Sequence, residues 1–153
     1  IRRCPVDHGN RRSRHRGDTV STFVEPPPSD EAEPFWEATR RGELLLPWCR
    51  VCAQPFWYPR AICPRCLGDT IEWRGATGDG VVYAASVQHL PGPGRDAADG
   101  PYVVALIELD EGVRLMSNVL ECAPQDVHVG MRVRVTWCSL SDGRQLPQFA
   151  PQQ

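Results

Sequence analysis

Two Cys-x-x-Cys pairs, Cys49-Arg-Val-Cys52 and Cys63-Pro-Arg-Cys66, stand ten residues apart in this chain. Two residues between thiols let a tight turn aim both sulfurs at one point, and two such knuckles face to face make a tetrahedral metal site. A closed all-thiolate tetrahedron leaves no position for water or substrate, and it suits a metal without a redox role, so the reading is zinc. Such a site folds the protein and does not catalyse. The spacing leaves two alternatives open: a pair of disulfides, which a reducing compartment disfavours, and an iron tetrathiolate of the rubredoxin kind, as in an electron carrier.

The remaining titratable groups offer no comparable geometry. Cys4 lies in a polar tail, and Cys122 and Cys138 stand singly near strands, so all three read as buried or incidental thiols. Cys4, His8 and His15 could bind a metal, but a tail without fixed structure does not preorganise them. In the second half the histidines are His89 and His128, with no paired nucleophile or acid, so no catalytic set is evident and the chain reads as no enzyme.

What must position the knuckles is a small ribbon. The ten residues Ala53 to Ile62 suit a β-ribbon between the pairs, with Glu43 to Trp48 leading in, Phe56-Trp57-Tyr58-Pro59 as a middle strand and Thr70 to Arg74 leading out. Trp48, Phe56, Trp57, Tyr58 and Trp73 are dense for so short a stretch, and some of them must cover the metal site. Ahead of the ribbon, Asp30 with Glu33 reads as a capping box, Pro34 suits a first helical turn and Gly42 a left-handed end, which predicts a helix over Glu31 to Arg41. Phe35 and Trp36 on it read either as anchors to the ribbon or as a partner-docking face.

After Gly75 the pattern becomes all-β. Val81 to His89, Tyr102 to Leu109, Val113 to Leu120, Met131 to Leu140 and Arg144 to Phe149 read as five strands, with a Gly/Pro-rich loop over 91–101 and turns at Gly78-Asp79-Gly80, Asp110-Glu111-Gly112 and Ser141-Asp142-Gly143. Five such strands suggest a small closed barrel of the OB type. The fold expected is mainly β, in three parts: a disordered Arg/Pro-rich tail or linker over 1–28, helix plus ribbon over 29–74, and barrel over 75–153. The tail, which does not begin with methionine, reads as an excised linker or an upstream stretch.

Composition narrows the function classes. The 153 residues contain 17 arginines and no lysine, a bias more in keeping with a GC-rich genome than with a mechanism. No run of about 18 apolar residues and no signal core is present, so a cytoplasmic protein is expected. Beyond residue 20 there are 11 arginines against 17 acids. An OB fold invites a single-stranded nucleic-acid reading, but that function needs a basic groove with stacking rings. From Gly75 onward there are five arginines against nine acids and four aromatic residues, which speaks against it.

The order Phe35-Trp36, the two knuckles, Trp73 before a glycine turn, Pro101-Tyr102-Val103-Val104, Leu109-Asp110-Glu111-Gly112, Val129-Gly130-Met131 and Leu146-Pro147-x-Phe149 resembles the zinc-ribbon/OB-fold family once catalogued as domain of unknown function 35. The resemblance runs from about Val24 to Pro151. It implies a non-catalytic accessory subunit or domain that binds and completes a thiolase-fold enzyme acting on acyl-CoA: a thiolase, an acyltransferase or a steroid side-chain aldolase. A hetero-oligomer is implied, with acyl-CoA at the shared interface. In that setting Arg60 and Arg65, flanking the second knuckle, are candidates to meet CoA phosphates, and Phe35 and Trp36 to meet the partner. The sequence departs from the family at Ala53 and Leu67, where glycine often follows each knuckle.

Overall fold

The computed structural model describes residues 25–27, 29–92 and 97–152. A 3₁₀ turn over Asp30–Ala32 opens into helix α1, Glu33–Thr39. The expected capping box does not form: neither turn nor helix has a side-chain cap. The Glu33 N–H, which the box would have taken, donates instead to the Asp30 carbonyl, and the Ala32 N–H to the Ser29 carbonyl at 3.0 Å, so a tightened first turn satisfies both donors. The far end follows the expectation. Gly42 sits at φ 72°, and the Gly42 and Glu43 N–H groups donate to the Thr39 and Ala38 carbonyls, the double closure of a Schellman end.

Strands β1 (Leu45–Cys49), β2 (Gln54–Pro55) and β3 (Ile71–Gly75) form a sheet in the order β2-β1-β3, both pairings antiparallel. The middle strand expected over Phe56 to Pro59 is absent, and its place is taken by the two residues of β2. Pro55 ends the ladder, and the chain then turns toward the helix, where the Trp57 ring meets Phe35 edge-on at 5.2 Å.

The barrel comprises β4 (Asp79–Gln88), β5 (Tyr102–Leu109), β6 (Arg114–Val119), β7 (Arg132–Ser139) and β8 (Gln145–Pro151), closed in the order β4-β5-β6-β8-β7. Alternation of apolar residues sets the inward face: Val103, Ala105, Ile107 and Leu109 of β5 are all buried. Val82, Leu115, Val119, Val133 and Phe149 join them from the other strands. Closure is uneven. Strand β4 pairs β5 along eight positions but β7 only at Asp79, Gly80 and Val81, with a register shift between Val82 and Ala84. Gly80 permits the close approach of β4 to β5, because a Cβ there would lie 2.5 Å from the Glu108 carbonyl oxygen.

Helix, ribbon and barrel share one core, since Phe35, Leu44 and Leu46 pack with the barrel interior. Phe35 is 4% exposed, so of the two aromatics considered for docking it belongs to the fold, and the half-buried Trp36 alone retains a free edge. Glu25 to Pro27, expected within the disordered tail, are held instead. The Glu25 carboxylate accepts from the Ser141 N–H and hydroxyl, both at 2.8 Å, and the Pro26 carbonyl accepts from Arg144 at 2.9 Å. Arg144 is buried, ion-paired to Asp142 and placed over the Trp36 ring. The rest of the expected tail, 1–24 and Pro28, lies outside the described residues, as do Cys4, His8 and His15. No helix among the described residues is long and apolar enough to cross a membrane.

Candidate metal centre

The four cysteines named from their spacing converge. Their Sγ atoms all lie within 4.8 Å of one another. Cys49 and Cys66 approach to 3.6 Å and Cys52 and Cys63 to 3.9 Å. A tetrahedron with Zn–S of about 2.3 Å has an edge of about 3.8 Å, so these separations fit a shared ion. They are far too long for disulfides, and all four are free thiols.

Local backbone builds each knuckle. Cys49 ends β1, and the Cys52 N–H turns back to donate to Cys49 Sγ at 3.4 Å. In the second knuckle the Arg65 N–H donates to Cys63 Sγ at 3.4 Å, and the Leu67 N–H to the Cys63 carbonyl at 3.0 Å. The residues after the knuckles, Ala53 and Leu67, occupy the left-handed region at φ 51° and 58°. These are the two positions where the sequence departs from the expected glycines.

The thiols are electrostatically unequal. Backbone N–H donation from Cys66, then from Arg65, brings Cys63 down to about 6. Cys52 is pushed up to about 12, first by its hydrogen bond with Cys66 and then by burial and the other thiols. Four thiols this close cannot all ionise without a cation between them, which is the chemistry of a metal site. Cys49 and Cys63 are buried, whereas Cys66 is exposed. Phe56 and Ile71 pack against the cluster. Of the five ribbon aromatics, Phe56 is the one in this small core; Trp57 and Trp73 pack against the main one.

Other candidates are scattered. Arg65 lines a groove of about 390 Å³ between the ribbon and the β5–β6 hairpin, with Pro64, Trp57, Glu108 and Arg114. Arg60 does not line it. Both are exposed and form no ion pair among the described residues. His89 and His128 are exposed. Cys122 is half-buried, with its thiol pushed up by burial and then by Asp126. Cys138, expected as a buried or incidental thiol, is almost fully buried on β7. A second groove, about 360 Å³, escaped the sequence reading. It lies where Trp36, Trp57, Tyr58, Met116, Leu146 and Pro147 meet, residues from four separate segments with no common motif.

Comparison with known proteins agrees with the geometry. The family described as the rubredoxin-like zinc ribbon domain of ChsH2 matches residues 36–72, and the C-terminal OB-fold domain of ChsH2 matches residues 73–138. A probable enoyl-CoA hydratase alpha subunit of Thermomonospora curvata is 38% identical over 121 residues, covering 76% of this chain and 36% of that protein. The chain thus spans about a third of that relative's length. A DUF35 domain-containing scaffold protein of Methanothermobacter thermautotrophicus is 34% identical over 100 residues, which cover 64% of this chain and 74% of that one. Among solved structures, a chain of an Ltp2-ChsH2(DUF35) aldolase superposes with a TM-score of 0.73 at 33% identity, covering 83% of this chain and 98% of its own. With its four-cysteine ribbon continuous with a five-stranded OB barrel, the chain belongs to the DUF35 family in its ChsH2-like form.

Proposed function

We propose that this chain is a non-catalytic accessory subunit or domain that binds and completes a thiolase-fold enzyme acting on acyl-CoA. The observation that carries the reading is the match along 98% of a chain of an Ltp2-ChsH2(DUF35) aldolase. The partner would supply nucleophile and base.

Zinc, held by Cys49, Cys52, Cys63 and Cys66, would supply folding free energy and no chemistry, since four protein ligands close its coordination. Around it the chain's own residues do the work. The knuckle N–H groups orient the sulfurs, Phe56 packs with the buried Cys49 and Cys63 and Ile71 against them, and the ribbon presents Arg60 and Arg65 to solvent. A guanidinium there suits the phosphates of CoA as they leave the active site of the partner.

Two measurements test this. The chain and a thiolase-fold partner enzyme should co-elute as a complex with acyl-CoA activity that neither has alone. In that complex Arg60→Ala or Arg65→Ala should raise KM for acyl-CoA by roughly 3–10-fold with kcat little changed, because phosphates remote from the reacting carbon bind equally in ground and transition states. Unchanged KM for both variants would take these arginines out of the CoA site.

A further inference from the structure

The barrel is closed over only part of β4. Beyond Val81 the pairing with β7 ends in two backbone bonds, the Val82 N–H to the Met131 carbonyl and the Gly130 N–H to the Val82 carbonyl. From Ala84 to Gln88 the strand stays paired to β5 on one side, with Tyr83 at the register shift. Its other edge has no backbone partner among the described residues. Tyr83 to Val87 are exposed without a break, inward and outward positions alike. An open edge is an invitation to any extended chain, and proteins ordinarily blunt it with charge or proline. Here no Asp, Glu, Lys, Arg or Pro occurs from Val81 to Leu90.

The edge adjoins an apolar strip. Ala84 pairs with Leu106 and Leu106 with Met116 across β4, β5 and β6, and Met116, 64% exposed, shares a groove with Tyr58 of the ribbon. Glu108 and Arg114 border the strip but neutralise each other at 2.6 Å, and the Arg114 guanidinium lies over the Tyr83 ring at 3.4 Å.

Resting on the accessory reading above, we infer that the thiolase-fold partner adds an extended, uncharged segment to the open edge of β4 as an extra strand, while its surface covers the Ala84–Leu106–Met116 strip. Main-chain hydrogen bonds along Tyr83 to Gln88 give such an addition its affinity, and the alternating side chains its register. A second copy of the chain fits less well. A stable interface takes about 20–30 residues a side, whereas the edge offers six. Two-fold pairing of β4 with itself would extend the sheet sideways and leave the strip on its face uncovered.

Hydrogen exchange read by mass spectrometry, on the full chain alone and in complex with the Ltp2-like enzyme of the same genome, tests this. In the complex, peptides covering Tyr83 to Gln88 should exchange at least tenfold more slowly at the amides that are open in the free chain. The double variant Ala84→Lys/Ser86→Lys, changed at exposed side chains, should keep its circular dichroism and zinc content yet bind the enzyme at least tenfold more weakly. A complex that forms while β4 exchanges as in the free chain overturns the strand addition and leaves the accessory reading standing. Failure to form any complex brings down both. A dimer of the free chain with β4 already protected assigns the edge to a second copy and overturns the proposal.

Discussion

Replacing Ala53 and Leu67 with glycine should strengthen metal binding. Both residues stand just past a knuckle at positive φ, 51° and 58°. A left-handed conformation costs a residue with a Cβ roughly 1–2 kcal/mol, and glycine returns about 0.5–1 kcal/mol of that through its greater freedom in the unfolded chain. The net gain is roughly 0.5–1 kcal/mol per site. Little packing is lost, since Ala53 is exposed and the Leu67 side chain is 76% exposed. Because ribbon folding and metal binding are one process, the gain appears as affinity: roughly 1–2 kcal/mol for the double variant, or about 5–30-fold tighter zinc at 1.4 kcal/mol per decade. Competition against a chromophoric chelator at neutral pH, with wild type and both single variants alongside, measures it. A double variant that holds zinc no more tightly than wild type would show that the knuckle backbone is not strained, and the reasoning would fail.

Phe35→Ala should destabilise the isolated chain by roughly 3–5 kcal/mol, whereas Trp36→Ala, at a half-buried position, should cost clearly less in the same urea titration; equal losses would contradict the division of the pair between core and surface. Gly80→Ala should cost about 1–3 kcal/mol, because the new Cβ meets backbone, the Glu108 oxygen at 2.5 Å and Leu109 Cα at 3.1 Å; an unchanged melting temperature would place the β4–β5 approach elsewhere. Cys63→Ser should abolish stoichiometric zinc by atomic absorption, and a variant retaining one ion per chain would remove Cys63 from the site.

The metal centre was legible because it is local. Two residues between thiols and ten between pairs constrain the backbone within single turns, and the structure brings the four sulfurs together without long-range help. The five barrel strands were legible for a similar reason: alternation and glycine turns are written within eight or ten residues, and Tyr102–Leu109 occupies its expected span. The left-handed end at Gly42 belongs to the same class, whereas those at Ala53 and Leu67 were expected only through the family resemblance.

Tertiary structure alone decided which surfaces are free. Phe35 and Trp36 are adjacent and chemically alike, yet the barrel interior takes one and leaves the edge of the other. Trp57 leaves the ribbon because the Phe35 ring, 22 positions earlier, offers it a partner. Glu25 and Pro26 are held by Ser141 and Arg144, more than a hundred residues away, where composition alone indicated disorder. The open edge of β4 is of the same kind, since a strand's propensity is the same whether one neighbour or two will pair with it. Spacing and alternation fix what a segment can form, but burial and pairing depend on which distant segment arrives beside it, and no local pattern records that.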